Sequence, residues 1–201
     1  MDNELMTPRE LKADNSDNFI GDFQIKDKNL MLEIIDFFEK NKEYQQVARF
    51  GNHEVDKSKK DALEITISPK QLAEDKHRIF AEYFDHLKKT FNEYLNNWPF
   101  LRTIGKISSG SFHIQKYKPG GHYNSWHTER DSLRNSERVL VFMTYLNTLK
   151  GSGETEFLHY NTKFEPIEGR TLLWPAEWTH AHKGHPVKKT KYIITGWIGF
   201  R

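Results

Sequence analysis

Seven of the ten histidines of this 201-residue chain lie between positions 113 and 185, and five of those seven fall in two short clusters. The first, HYNSWHTERD, holds His122, His127 and Glu129; the second, WTHAHKGHP, holds His180, His182 and His185. In an extended segment residues i and i+2 face the same side. His127 and Glu129 can therefore aim at one centre while Thr128 turns away. A third ligand from the second cluster would complete a set of two imidazoles and one carboxylate. That set suits a non-haem ferrous ion with open coordination positions. Three donors on one face of an octahedron leave two positions for a chelating cosubstrate and one for dioxygen. A His-x-Glu pair on its own is a weak motif, with a surface loop as its ordinary explanation. Asp131 is a rival carboxylate, although its spacing of four from His127 fits poorly. His180 shares a face with His182 in an extended chain, so periodicity leaves the choice between them open.

Several further residues accompany the clusters. Tyr117 ends the run SGSFHIQKY just before the turn Pro119-Gly120-Gly121, and Tyr145 closes RVLVFMTYLN. Lys191 opens KYIITGWIGF, where it shares one strand face with Ile193, Thr195 and Trp197. A lysine at the head of an inward-facing row needs a buried anion, because an unpaired ammonium is costly to desolvate. Trp126, Trp174 and Trp178 flank the ligand segments and could wall a pocket, with core packing the alternative for Trp174 and for Trp197. Arg130, Arg134 and Arg138 read as a solvated loop.

The elements that would position these groups divide the chain in two. Residues 29–40 place Leu30, Ile34, Phe37 and Phe38 at helical spacing. Residues 50–62 are charged and turn-like, and LEITIS reads as a short strand. Over 71–98, Phe80, Phe84, Leu87, Phe91, Tyr94 and Trp98 form one apolar stripe of a long helix. After Pro99 short β-rich runs alternate with Gly-rich turns. Helices followed by many short strands predict an α+β fold, with the strands in a sandwich or barrel and the helices on one face.

Composition removes other classes. With no cysteine, disulfides, thiolate zinc sites, iron–sulfur clusters and thiol catalysis are excluded. Net charge is +2, with acidic residues in excess over 1–100 and basic residues over 101–201. A basic half could serve an anionic ligand, and equally could be solvated surface. The start lacks a secretory signal's apolar region, and no apolar run approaches the roughly 20 residues that span a bilayer. A cytoplasmic location without membrane attachment is the expectation.

Taken in order, Tyr117, His127-Thr128-Glu129, Tyr145-Leu146-Asn147, Gly153-Glu154-Thr155-Glu156-Phe157, His182 and Lys191 resemble the 2-oxoglutarate- and Fe(II)-dependent dioxygenases, in particular their prolyl-4-hydroxylase-like branch. The resemblance covers residues 110–201. It implies a double-stranded β-helix, or jelly roll, in the C-terminal half. The whole of 1–201 would form a single domain, with 18–100 as mainly helical support and 101–201 as the catalytic core. It implies His127, Glu129 and His182 as Fe(II) ligands, with the family spacing to Pro186 and Lys191 selecting His182. Lys191 and Thr195 would hold the distal carboxylate of 2-oxoglutarate, as a point charge and a hydroxyl rather than an arginine fork. Tyr145 and Tyr117 would hydrogen-bond in the same pocket. Glu129 stands where most relatives have Asp, and a carboxylate there argues against a halogenase.

The activity so implied is hydroxylation of an unactivated C–H bond with 2-oxoglutarate and O2, releasing succinate and CO2, with ascorbate as a candidate reductant. A prolyl or other peptidyl residue is the first expected substrate, and a free amino acid or other small molecule the second. A nucleic acid is disfavoured, since no basic stripe interleaves with aromatics. The competing class is a non-catalytic metal-binding jelly-roll module, which would need neither Lys191 nor the full ligand set. The oligomeric state is left open.

Overall fold

A computed structural model describes residues 18–50, 55–74 and 77–200. Helix α1 (Lys28–Lys40) begins where the Asp27 side chain accepts the Leu30 N–H at 3.0 Å, satisfying one of the amides a helix start leaves open. It buries Leu30, Met31, Ile34 and Phe38. The helix expected over 71–98 begins only at Arg78, as α2 (Arg78–Asn97). Gln71–Ala73 form a separate 3-10 turn, in which the Gln71 carbonyl accepts the Glu74 N–H at 3.0 Å and also bonds the buried His77 ring at 2.7 Å. The stripe itself is inward: Phe80, Leu87, Tyr94 and Trp98 are buried, and Phe84 and Phe91 pack half-buried beside them. Helix α2 ends at Trp98, ahead of Pro99, which disfavours helical geometry in the residue before it.

Among the described residues, twelve strands precede, separate and follow the helices. They are β1 (Gly21–Gln24), β2 (Gln46–Val47), β3 (Lys60–Asp61), β4 (Leu63–Ile67), β5 (Ile107–Tyr117) and β6 (His122–His127), then β7 (Arg138–Tyr145), β8 (Thr155–Phe157), β9 (Thr162–Phe164), β10 (Arg170–Pro175), β11 (His182–Gly184) and β12 (Lys191–Phe200). They form a seven-stranded sheet in the order β1-β10-β7-β12-β5-β4-β2 and a five-stranded sheet in the order β3-β6-β11-β8-β9. Every pairing is antiparallel. With both helices on one side, this is an α+β double-stranded β-helix. Lys60 and Asp61, inside the charged stretch read as turn-like, instead pair with Tyr123 and His122 as strand β3. Residues 51–54 of that stretch lie outside the described residues.

The period-2 alternation of the large sheet separates two jobs. Phe112 and Ile114 of β5, Leu140 and Phe142 of β7, and Ile194 and Ile198 of β12 join the helices in one core. Tyr117, Val141, Met143, Tyr145 and Ile193, from the same three strands, face the small sheet and pack with Phe157 and Trp174. Gly196 lies against Phe142 and Phe112, where a Cβ would come within 2.6 Å of the Phe142 ring, so the helix side of β12 is closed by aromatic rings rather than by its own side chain. Lys191, Ile193, Thr195 and Trp197 are left on the inner side, lining the cavity between the sheets.

Candidate active site

The inner sheet brings the two histidine clusters together by strand pairing. β6 and β11 are adjacent, and His127 and His182 are direct cross-strand partners. Side chains of such pairs project from the same face, and these rings stand 4.3 Å apart. Glu129 lies just beyond β6. Its segment is pinned on both sides, because the Thr128 hydroxyl and the Arg130 N–H both donate to the Ala176 carbonyl, at 2.8 and 2.9 Å. Glu129 Oε1 then sits 3.5 Å from His127 Nε2 and 3.6 Å from His182 Nε2. The three ligand atoms lie within 4.8 Å of one another.

The partners of the outer nitrogens decide what this cluster can do. His127 Nδ1 bonds the Ser125 carbonyl at 2.9 Å, and His182 Nδ1 bonds the His180 carbonyl at 3.0 Å. A carbonyl only accepts, so each Nδ1 carries the proton and each neutral ring presents a bare Nε2 lone pair inward. Three acceptors then face one another with no proton between them. That arrangement is repulsive unless a cation sits at its centre. A single cation held by all three would relieve that repulsion, and contacts of 3.5 and 3.6 Å around Oε1 leave the three donors facing one point.

Burial tunes the same groups. It lowers the His127 pKa, and the neighbouring His182 ring acts in the same direction, so the neutral ligand form is favoured. Burial alone would raise the Glu129 carboxyl. Positive charge on the two imidazoles outweighs it and holds Glu129 well below the usual carboxylate range, the part that a bound cation takes when both rings are neutral. Tyr123 stacks on His127 at 3.6 Å between centroids, and Trp174 and Phe157 pack against His182. The rings are thus held by packing on one side and by a carbonyl on the other, the outer-shell support that orients metal-binding histidines.

Lys191 lies deeper in the same cavity, which measures about 500 Å³. Its side chain is buried. Nζ donates to the Gly153 carbonyl at 2.8 Å and stands 4.7 Å from the centre of the Tyr117 ring. Gly153 has φ +77°, in the left-handed region that favours glycine, and a Cβ there would meet Val187 at 2.7 Å. No described carboxylate forms an ion pair with this ammonium. Burial lowers its pKa to about 8, against the opposing charge of Glu154. A buried cation with one neutral acceptor has capacity left for an anion.

The remaining expected residues divide. Thr195 lines the cavity beside Lys191, with its hydroxyl donating to the Phe142 carbonyl at 2.9 Å. The Tyr117 ring also lines it, while its hydroxyl donates to Gln115 at 2.7 Å. Tyr145 is fully buried behind Thr155, to which its hydroxyl donates at 2.6 Å; Thr155, not Tyr145, lines the cavity. His180 lies in a 3-10 turn, so the extended geometry that equated it with His182 does not hold. Its ring bonds the Asn18 carbonyl and Thr179, away from the cluster. His185 is paired with Glu156, and Asp131 is held by Asn135 at the cavity's rim.

Trp174 and Trp197 line the cavity, whereas Trp126 and Trp178 are exposed. Arg138 is not a loop residue. It opens β7, stacks 3.6 Å over Trp197, and donates to the Glu129 carbonyl at 2.9 Å. Sequence reasoning also missed the partners of Tyr117. Gln115 Nε2 donates to Glu64 at 2.9 Å, Lys60 reaches the same oxygen at 3.4 Å, and all three line the cavity. Gln115 is two residues from Tyr117 on one strand face, the signal that could have found it.

Residues 112–199 match the family model described as the 2OG-Fe(II) oxygenase superfamily. Among solved structures, the viral collagen prolyl hydroxylase of Paramecium bursaria Chlorella virus-1, in its 2OG complex, is 19% identical, with 92% of this chain and 98% of that one covered and a TM-score of 0.66. A Pseudomonas putida prolyl-4-hydroxylase is 18% identical, with 92% and 94% covered and a TM-score of 0.67. A Trichoplax adhaerens prolyl hydroxylase, in complex with a hypoxia inducible factor peptide fragment, is 14% identical, with 91% and 84% covered and a TM-score of 0.74. No curated protein matches the chain. No helix among the described residues is long and apolar enough to cross a membrane.

Proposed function

We propose that this 2-oxoglutarate- and Fe(II)-dependent dioxygenase, whose superfamily segment runs over residues 112–199, hydroxylates an unactivated C–H bond of a prolyl or other peptidyl residue. The observation that carries the site assignment is the meeting of three inward-facing acceptors, His127 Nε2, Glu129 Oε1 and His182 Nε2, with both Nδ1 atoms committed to carbonyls. Their donor types suit a ferrous ion with three positions open. Bound there with 2-oxoglutarate, the iron supplies the dioxygen chemistry, in which substrate C–H, O2 and 2-oxoglutarate give C–OH, succinate and CO2.

The chain's own part is binding and orientation. Lys191 pairs its ammonium with the distal carboxylate of the cosubstrate, assisted by Thr195 and, from the opposite wall, Thr155. The Tyr117 ring and Ile193 exclude water between that carboxylate and the ligand triad. Helices and jelly roll act as a single catalytic domain, and ascorbate serves as reductant.

Of the neighbours named above, one is a collagen prolyl hydroxylase and another is in complex with a peptide fragment, which favours a peptide substrate here. A free amino acid is the second reading, favoured by the charged groups Arg49, Lys60, Glu64 and Arg138 around the cavity. Incubating the protein with Fe(II), 2-oxoglutarate, ascorbate and separate pools of proline-containing peptides and free amino acids tests both. A gain of one oxygen in a peptide, matched by succinate, supports the first reading; the same gain only in an amino acid supports the second. Succinate formation that needs no His127, or none with any pool under conditions where Fe(II) binds, overturns the assignment.

A further inference from the structure

The outer oxygen of Glu129 has partners of its own. Trp197 Nε1 donates to Oε2 at 2.9 Å, and Arg138 reaches the same oxygen at 3.5 Å. Arg138 also donates to the Glu129 backbone carbonyl at 2.9 Å, so one guanidinium grips head and main chain together. The indole cannot swing away. Arg138 lies 3.6 Å over its ring, and His113, itself bonded to Thr66, meets it edge-on at 5.3 Å. Opposite Trp197 the register of β12 and β5 slips, with Gly196 facing Phe112 but Ile198 facing Ser109. Such an irregularity re-aims a side chain locally.

We propose that Trp197 and Arg138 form a clamp that fixes Glu129 as a one-oxygen metal ligand, and that this clamp is what requires glutamate rather than aspartate at position 129. The inference rests on the assignment of His127, Glu129 and His182 as the metal site. An unrestrained carboxylate can bind a metal through both oxygens, which would take one of the positions the reaction needs open. An indole N–H is a donor only. It withdraws Oε2 from the metal without offering a ligand in its place. The main chain is fixed on either side of Glu129 by the two bonds to Ala176. With both ends of the side chain fixed, its length is determined. Aspartate is shorter by one C–C bond, about 1.5 Å, and from the same pinned main chain cannot carry its carboxylate to the point where one oxygen faces the histidine pair and the other the indole.

Trp197 and Arg138 are thus positioning residues, and the test reads the metal rather than turnover. The full chain is titrated anaerobically with Co(II), following affinity by calorimetry and geometry by the visible ligand-field bands. W197F is expected to weaken Co(II) about tenfold, the lower end of what loss of an outer-shell partner costs, and to change the band pattern as the freed oxygen turns to the metal. E129D is expected to weaken it at least as much. In W197F/E129D the loss should stay within about twofold of E129D alone, because the shortened side chain no longer reaches the indole. R138M, which keeps the side chain's apolar bulk, should weaken Co(II) a few-fold with the same spectral change, and it stands in if W197F does not fold.

Wild-type affinity and spectrum in W197F or R138M, or losses in W197F and E129D that simply multiply, would overturn the clamp. Equal Co(II) binding by the wild type and H127A would instead overturn the metal site on which the clamp depends.

Discussion

Two groups of potential ligands among the described residues bring their ligand atoms equally close and differ in everything around them. His127, Glu129 and His182, and likewise Asp27, Glu82 and His86, bring ligand atoms within 4.8 Å of one another. In the first group each imidazole has its outer nitrogen on a carbonyl, the carboxylate has its outer oxygen on Trp197, and aromatic rings pack against both histidines. In the second, Asp27 Oδ1 is engaged in capping α1, Glu82 is exposed, and His86 meets Asp27 only at 3.7 Å with roughly a third of each side chain in solvent. Proximity of ligand types is common on a charged surface. Outer partners that leave the inner atoms with nothing to bond are what mark a site.

The sharpest way to break this contrast is to remove one histidine from each group. H127A should lose Co(II) or Mn(II) affinity by more than about 100-fold, beyond the range for an outer-shell residue, and H86A should leave it unchanged. Calorimetric titration of both variants checks this. A loss in H86A matching that in H127A would mean that the outer partners do not distinguish the two groups.

The next largest effect concerns Lys191, proposed to hold the cosubstrate. Removing one member of a buried ion pair costs about 3–5 kcal/mol, so K191A should raise the apparent constant for 2-oxoglutarate by about 100-fold or more and leave Co(II) affinity within a few-fold of wild type. Equal damage to both would place Lys191 in the metal site rather than behind it. The pH dependence follows from the same burial. The Lys191 pKa is lowered from 10.5 to about 8. Between those values the unfolded chain holds a proton there that the folded, ligand-free chain does not, so this group makes the ligand-free protein more stable as pH rises from about 8 to 10.5. Affinity for a dianion requires the ammonium and should fall over the same interval. Thermal melts without ligand and 2-oxoglutarate titrations at pH 7, 8 and 9 should therefore move in opposite directions, and K191A should remove the Lys191 contribution from both.

How much of this was legible in the sequence depends on whether a residue's role is set locally or by pairing. The helical stripe from Phe80 to Trp98, the alternation along β12 and the need of Lys191 for an anion are local, and each could be read from spacing. The start of α2 could not, because spacing does not separate the 3-10 turn at Gln71–Ala73 from the helix that begins at Arg78. The choice of His182 over His180 was beyond periodicity for a similar reason. The chain turns through a 3-10 segment at Trp178–His180 and becomes extended only at His182, where β11 meets β6. Arg138 looked like one more charge in an arginine-rich loop, and only the closeness of β7 and β12 puts it on Trp197. Tyr145 shows the converse. The resemblance implied a pocket role for it, but Thr155, from the other sheet, stands between its hydroxyl and the cavity.

The smallest effect tests the second group from within. Asp27 accepts the Leu30 N–H, and replacing such an N-cap by alanine costs about 1 kcal/mol. Its contact with His86 adds little, since both side chains are partly solvated. D27A should therefore lower the melting temperature by about 2–4 °C for a chain of this size, with Co(II) affinity unaltered. D27N keeps an oxygen acceptor for the amide while discarding the charge, and it should recover most of the stability. If D27N were as damaging as D27A, the carboxylate's charge rather than its cap would matter, and the Asp27–Glu82–His86 group would have to be reconsidered as a cation site. Recovery in D27N leaves that group as a helix start with two charged neighbours, and leaves the contrast with His127, Glu129 and His182 resting on what surrounds each set of ligand atoms.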